Sequence, residues 1–248
     1  MKPIWIIVIT VGGLLIFGGL LTWMLVWLHR SNKAEEAGIE QRQREQFPAR
    51  GWHHTARDDR ATEVFNELER YPKLVPVVVG IDRSPRAVEA HDIITGRHRG
   101  RPFLAALFIV NEPVDTSNNL QGQFGVRWTA VWVRTPVARP TLDVRQVLRV
   151  ESRINEGLGL GDIKIGHPEF DSRYQVTCAD EAFARAVLVP DVVDFLLTDE
   201  RDCRGFWIRG TQFDAYNATG EHRDPVVLAA DLDVRCDLLD RIPRHVWH

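Results

Sequence analysis

The stretch 170–197, FDSRYQVTCADEAFARAVLVPDVVDFLL, predicts one strand followed by two short helices. Apolar and polar side chains alternate from Phe170 to Cys178, which is the period-two pattern of a half-buried strand. Asp180 is a residue type that caps a helix N terminus, and Pro190 suits the first turn of a second helix. Each polar residue therefore has a structural role, and Cys178 is interpreted as a core thiol rather than a nucleophile.

The segments before this stretch predict a series of antiparallel strands. Residues Ala87–Thr95 and Phe103–Val110 flank the sequence GRHRG, whose glycines are typical of a hairpin tip. Residues 124–135, FGVRWTAVWVRT, alternate strictly, with two tryptophans on one face. Residues Leu142–Val150 form the next predicted strand.

The segments after it predict a hairpin and a long helix. Residues Gly205–Phe213 fit a tight hairpin that turns at Gly210. Asp224 and the proline after it suit the start of a final helix that continues through Leu239. With one further short helix expected at residues 57–70, the fold class is α+β: a meander-like antiparallel sheet packed with several helices, preceded by an N-terminal transmembrane helix.

Residues Ile4–Leu28 form a 25-residue run without a charged side chain. At ~1.5 Å per residue, a helix of this length can cross the ~30 Å hydrocarbon core of a bilayer. Trp5 lies near one end and Trp27 near the other, as in an interfacial aromatic belt. Because no small-residue cleavage site follows the run, we expect a permanent single-pass anchor over residues 1–28, with the lipid bilayer as its partner.

The residues after the anchor predict a stalk and one soluble domain. Residues 29–56 are polar with almost no apolar stripe, which indicates a solvated juxtamembrane linker, and residues 57–248 form the domain. Basic residues follow the apolar run, so the positive-inside bias predicts a cytoplasmic domain at the cell membrane. The short Met-Lys start is also typical of exported anchored domains, and the oligomeric state is open.

Composition excludes some functions. Charged residues make up 26% of the chain and hydrophobic residues 44%, as in an ordinary globular protein. The formal net charge is −3, which disfavours nucleic acid as a partner because phosphate binding needs a basic face. The three cysteines form no C-x-x-C motif, and we interpret them as buried thiols in a reducing compartment; one disulfide with a spare thiol is the alternative.

Catalytic and cofactor motifs are absent from the sequence. The glycines at 157, 159 and 161 are followed by Asp-Ile-Lys-Ile, which is strand-like, whereas a phosphate loop leads into a helix. Among the nine histidines, the side chains of His53 and His54 point apart in regular structure, and His245 and His248, which could share a helix face, lie at a terminus that is expected to fray. We therefore expect no metal, no cofactor and no catalytic residues, and the chain is more consistent with a binding protein than with an enzyme.

The hairpin tip carries the strongest local basic cluster: Arg97, His98, Arg99 and Arg101. On a domain tethered to a membrane, such a tip could contact anionic lipid head groups or an acidic protein partner. The alternative is a solvated turn whose charges maintain solubility. These four residues are the candidate binding site.

Three motifs resemble a group of bacterial proteins. They are the run F-D-x-R-Y-x-V…D-x-A-F-A…L-x-P-x-V-x-x-x-L, the hairpin T-G-x-x-R-G-R-P and the terminal R-I-P-x-x-V-W. They resemble uncharacterised actinomycete-type proteins that have one N-terminal span and a soluble domain of unknown function. The resemblance implies this arrangement from about residue 87 to the C terminus, and it assigns no role to any residue.

Together these features predict a membrane-anchored, non-catalytic domain for protein interaction or scaffolding. The alternative is a domain that binds a small ligand or a lipid head group, or an enzyme of an unrecognised kind, with a cleft between the strands and the last helix.

Overall fold

The computed structural model describes residues 3–68, 85–111, 125–147, 163–201, 203–217 and 220–248, with the backbone alone at 3–16, 28 and 32. The glycine-rich segment 157–161 lies outside these residues. The helices are α1 (Pro3–Arg50), α2 (Ala61–Glu67), α3 (Pro168–Arg173), α4 (Glu181–Val187), α5 (Pro190–Thr198), α6 (Pro225–Arg241) and a 3₁₀ turn (Arg244–Trp247). The strands are β1 (His53–Arg57), β2 (Arg86–His98), β3 (Arg101–Asn111), β4 (Val126–Gln146), β5 (Tyr174–Cys178) and β6 (Gly205–Ala215).

The strands form a single antiparallel sheet in the order β1-β2-β3-β4-β5, and β6 pairs with β4. The predicted α+β class with a meander-like sheet and several helices is confirmed. The hairpin predicted around GRHRG joins β2 and β3, and Arg101 pairs with His98 at its tip.

Strand β4 is longer than predicted and bends in the middle. Its first half pairs with β3, from Val126 to Val133, and its second half pairs with β5, from Leu142 to Gln146. The register of β4 against β6 shifts between Arg134 and Leu142, and regular pairing with β6 resumes at Leu142. The strand predicted at Leu142–Val150 is extended as far as Gln146, but it is not a separate strand, because it continues the first half of β4. Residues 148–150 lie outside the described residues.

Residues Gly205–Phe213, predicted as a tight hairpin at Gly210, instead form one strand, β6, which pairs with β4 along its length and bends until its ends meet. The amide of Arg204 donates to the carbonyl of Tyr216 at 2.6 Å, so the two ends of the strand meet. The rings of Phe206 and Phe213 stack with centroids 5.4 Å apart. Gly210 has φ +56°, a left-handed conformation that glycine adopts without the steric penalty of a side chain.

The predicted strand from Phe170 is helical in its first part. The ring of His167 accepts a hydrogen bond from the amide of Phe170 at 3.3 Å and caps α3. Asp171 accepts hydrogen bonds from the two amides before this cap, at 2.9 and 3.0 Å. The strand therefore begins only at Tyr174, because local capping stabilises the helix more than the alternation favours an extended chain. Helices α4 and α5 lie where they were predicted.

Each face of the sheet carries its own hydrophobic core. Helices α3 to α6 cover one face, where Val131, Leu142 and Phe206 are fully buried. Helix α2 covers the other face through Phe65, whose ring packs on Phe108 in a tilted arrangement with ring centroids 4.9 Å apart. The long helix predicted after Asp224 is α6, and it closes the first core.

Helix α1 continues without a break into the predicted stalk. Ile39 and Phe47 are buried, and β1 begins at His53, so the end of the predicted linker packs on the domain instead of being solvated. Within the part of the chain that the structure describes, no helix has an apolar stretch long enough to cross a membrane. Most side chains of the span predicted at Ile4–Leu28 lie outside the described residues, and that span stays a prediction.

Candidate functional site

The hairpin tip predicted as a binding site lies against α6. Arg99 forms ion pairs with Asp237 at 2.6 Å and with Asp240 at 2.5 Å. Arg101 also reaches Asp240, at 2.6 Å. Spaced at i and i+3, these two aspartates share the face of α6 turned toward the tip.

The other two tip residues differ in their contacts. The ring of His98 contacts the Asp233 carboxylate at 2.8 Å. The Arg97 guanidinium donates to the backbone carbonyl of Gly100 at 3.0 Å, within the turn itself, and its side chain is exposed.

Arg201 also contacts this part of α6, and it pairs with Asp199 at 2.6 Å and with Asp237 at 2.9 Å. We name these ion pairs the tip–helix network; its members are Arg99, Arg101, Arg201, Asp199, Asp237 and Asp240. Burial raises the pKa of Asp237, but hydrogen bonds from Arg99 and Arg201 outweigh that effect and leave the pKa below its ordinary value. The network therefore consists of ionised groups that neutralise one another. An anionic ligand would have to compete with aspartates for Arg99, so ligand binding at the tip stays a prediction.

A second polar cluster lies on the sheet face that α2 partly covers. The Asp143 carboxylate accepts hydrogen bonds from the hydroxyl of Tyr216 at 2.9 Å and from Arg209 at 3.3 Å. Arg145 approaches its other oxygen at 3.4 Å. The guanidinium of Arg209 also lies over the ring of Trp207, 4.6 Å from the centroid.

This Asp143 cluster is arranged for structure more than for proton transfer. Burial, followed by the nearby Asp143 carboxylate, raises the pKa of Tyr216 well above its ordinary value. A phenol with a raised pKa remains a hydrogen-bond donor and is a poor general base. The cluster therefore connects β4 to β6 through a neutral donor and a buried carboxylate.

The most deeply buried charge is Arg235, with 1% of its surface exposed. Its guanidinium donates to the carbonyl of Val131 at 2.6 Å and to the carbonyl of Ala215 at 3.4 Å, bridging β4 and the end of β6. It also binds one oxygen of Asp214 at 2.6 and 2.9 Å. Burial raises the pKa of Asp214, and the guanidinium opposes that rise.

The three cysteines are free thiols. Burial raises the pKa of Cys178, which disfavours the thiolate that a nucleophile requires. Burial also raises the pKa of Cys236, to about 11. Among the described residues, no group of three or more His, Cys, Asp or Glu side chains is placed to hold a metal ion.

Sequence reasoning missed the residues of these buried clusters. No local signal was available for Asp143, because Leu142-Asp143-Val144 is the ordinary alternation of a half-exposed strand and predicts a solvated carboxylate. The identities of the partners, Arg209 and Tyr216, depend on the folding of β6 and cannot be read from spacing.

One aromatic side chain is exposed on the sheet. Trp128 is 45% exposed and Val126 beside it is 42% exposed, whereas Trp132 on the same face of β4 is 2% exposed. The edge of the Trp128 ring packs on Phe65 at 5.9 Å. An exposed tryptophan next to an apolar neighbour is typical of a contact surface.

The junction between α1 and the domain is closely packed. Arg42 forms an ion pair with Asp224, the N-cap of α6, at 2.6 Å. The side-chain amide of Gln43 donates to the carbonyl of Arg223 at 2.9 Å. Phe47 packs on Trp52 with ring centroids 5.8 Å apart. We name this set the α1 junction.

No protein-family model and no curated protein matches this sequence. One solved structure is similar, the crystal structure of the mycobacterial trehalose monomycolate transport factor A, TtfA. The match has a TM-score of 0.42 and 14% sequence identity, and it covers 83% of this chain and 97% of that chain. A similarity of this size supports no inference about what this chain does.

Proposed function

We propose that this protein is a membrane-tethered, non-catalytic interaction domain held by a rigid helical stalk. The observation that carries this proposal is that α1 runs as one helix from the apolar segment at its start into the domain core at Phe47. A flexible linker would allow the domain to move freely, whereas a continuous helix packed at its end restricts the position of the domain.

The helix sets a distance as well as an orientation. From Leu28, the end of the predicted span, to Phe47 the helix advances about 28 Å at ~1.5 Å per residue. The α1 junction then determines which face of the domain is turned toward the bilayer. A domain held at this height is suited to contact another protein anchored in the same membrane.

The non-catalytic part of the proposal is supported by how the polar groups are used. The carboxylates of Asp143, Asp214 and Asp237 all pair with arginines. A general base or nucleophile needs a group that is available to substrate, and these carboxylates are engaged within the fold.

The test is co-purification of the full-length protein from its native membrane in a mild detergent. A stoichiometric partner is expected with the wild-type chain. Trp128→Ala should weaken recovery of this partner, whereas Val137→Ala, which shortens another exposed side chain on β4, should not. Repeated recovery of the wild-type protein alone would count against the proposal.

The rigid stalk is tested separately by two insertions of equal length between Glu36 and Ala37. Seven residues of Gly-Ser sequence introduce a flexible break, and seven Ala-rich residues add about two helical turns. The flexible insertion should reduce partner recovery more than the helical one. Equal recovery with both insertions would show that the stalk acts as a simple tether.

We also propose that the domain lies in the cytoplasm, as the basic residues after the apolar run favour. A protease-cleavable tag after His248 distinguishes the two orientations in membrane vesicles of known sidedness. Cleavage in right-side-out vesicles without detergent would place the domain outside the cell.

Binding of anionic lipid head groups by the hairpin tip is a second candidate, favoured by the exposed Arg97 guanidinium. Sedimentation with anionic liposomes should then decrease for Arg97→Glu and remain unchanged for Arg173→Glu, a matched exposed arginine on α3. No difference between the two variants would remove the tip from consideration.

A further inference from the structure

Asn217, which follows β6, and Asp231 in α6 share one hydrogen bond and leave two oxygens unmatched. The side-chain amide of Asn217 donates from Nδ2 to Oδ1 of Asp231 at 2.9 Å. Oδ2 of Asp231 and Oδ1 of Asn217 are both buried, and neither has a hydrogen-bond partner within the part of the chain that the structure describes. A buried acceptor without a donor costs free energy comparable to a lost hydrogen bond.

A single proton satisfies both oxygens. A carboxylic acid has one O–H donor, and a primary amide has one carbonyl acceptor beside its N–H donors. If Oδ2 of Asp231 carries a proton, it donates to Oδ1 of Asn217 while Nδ2 of Asn217 donates to Oδ1 of Asp231. The two planar groups then form an acid–amide pair with two parallel hydrogen bonds.

We propose that Asp231 is a neutral carboxylic acid in the folded protein, and that its pair with Asn217 is a proton-dependent clamp between α6 and the end of β6. An ionised Asp231 would place a buried carboxylate beside a second acceptor, and the two groups would repel each other. This inference concerns the folded domain itself and does not depend on the chain binding a partner.

The charged groups around the pair are consistent with a neutral acid. On α6, Arg235 uses one nitrogen for the backbone carbonyl of Asp231 at 2.8 Å, but its other nitrogens bind the carboxylate of Asp214 on β6. The cation nearest to Asp231 is therefore already neutralised by a different acid. Burial raises the pKa of Asp231, and Arg235 offsets only part of this effect.

A further titratable group near Asp231 is His222, which precedes α6 and is 4% exposed. Its Nε2 contacts the carbonyl oxygen of Asp92 in β2 at 3.1 Å, and its Nδ1 lies 3.9 Å from Glu221. Burial lowers the pKa of His222, so the ring is neutral near pH 7 and places no cation beside Asp231.

The clamp lies on the same helix as the surface on which α1 packs. Arg223 and Asp224, at the start of α6, accept the hydrogen bonds from Gln43 and Arg42 in the α1 junction. A group whose pKa is raised by folding stabilises the protein fully below its ordinary pKa, and that stabilisation is lost as the pH rises through the folded value. A rise in pH through the folded pKa of Asp231 should therefore loosen both the clamp and the α1 junction.

The test uses the full-length protein in mild detergent with ¹³C-labelled aspartate. Infrared spectroscopy distinguishes the carbonyl stretch of a protonated carboxyl group from that of a carboxylate, and a protonated band should be present at pH 7. Asp231→Asn should remove this band, match the wild-type urea midpoint below the ordinary aspartate pKa of ~3.9, and lose less stability than the wild type as the pH rises from there. The matched control Asp233→Asn, also on α6, should leave the band unchanged.

Three results would overturn the proposal. The first is the absence of a protonated aspartate band in the wild-type protein at pH 7. The second is a band that persists in Asp231→Asn. If that variant does not fold, Asn217→Thr takes its place, because it lacks the amide and should shift the protonated band of Asp231. An unchanged band in Asn217→Thr is the third result that would overturn the proposal.

Discussion

The pairing of Arg235 with Asp214 yields the sharpest energetic prediction. Replacing Arg235 by methionine keeps an apolar stem but leaves the Asp214 carboxylate buried without its cation. Breaking a buried ion pair in this way costs about 3–5 kcal/mol of unfolding free energy. The carbonyl of Val131, which accepts a hydrogen bond from the guanidinium at 2.6 Å, loses its donor as well.

The double variant Asp214→Leu/Arg235→Met should be more stable than Arg235→Met alone. Removing both charges avoids the lone buried carboxylate. The remaining penalty is the loss of the guanidinium as donor to the carbonyls of Val131, Ala215 and Asp231, about 1–3 kcal/mol for each carbonyl left without a donor. The single variant Asp214→Leu should resemble Arg235→Met, because it leaves a buried guanidinium without its anion. The coupling energy is therefore opposite in sign to the two single losses.

Urea unfolding of the full-length chain in mild detergent, followed by tryptophan fluorescence, measures these differences. Arg44→Met on the exposed face of α1 is the matched control, and it should change stability by less than about 0.5 kcal/mol. A double variant that loses the sum of the two single losses would refute the reasoning, because the two residues would then contribute independently.

Three further predictions test separate parts of the fold. Gly205→Ala should prevent stable folding, because a Cβ there would lie 2.0 Å from a carbonyl oxygen of the paired strand. Gly210→Ala should cost only about 1 kcal/mol, because its Cβ would have no atom within 4 Å. The yield of folded protein on expression distinguishes the two variants. Arg99→Glu should lower the melting temperature at low salt and have a smaller effect at high salt, because salt screens the ion pair with Asp240. The partner variant Asp240→Lys should behave in the same way. A loss of melting temperature that does not depend on salt would contradict an electrostatic contact. Burial lowers the pKa of His222, so the stability of the protein should fall as the pH decreases below the ordinary histidine value of ~6.5. His222→Gln should show a flatter dependence of stability on pH between pH 7 and 5. An unchanged slope of stability against pH would rule out this residue as the cause.

Local sequence signals predicted most of the elements. The alternation at 124–135 identified the first half of β4, and the capping residues Asp180 and Asp224 located the starts of α4 and α6. The wrong prediction of a strand start at Phe170 also has a local cause, because the helix cap at His167 competes with the alternating pattern. Such competition between two local signals is decided by small energy differences.

The candidate site was less accessible to sequence reasoning. The basic tip at residues 97–101 is visible in the sequence, but its contacts with α6 join residues more than 130 positions apart. The tip therefore looked like an isolated cationic turn. The α1 junction was missed because Ile39 and Phe47 are too few to form an apolar stripe, although each of them is buried.

The sequence by itself determined helices α4 to α6, the β2–β3 hairpin and the apolar run at the start, because hydrophobic period, capping and turn residues act over a few positions. Only the tertiary structure decided which charges are buried together, such as Arg235 with Asp214 and Asp231 with Asn217. The physical reason is that such pairs are stable only after burial removes competing water. Their energy depends on three-dimensional proximity, which has no signature in spacing along the chain.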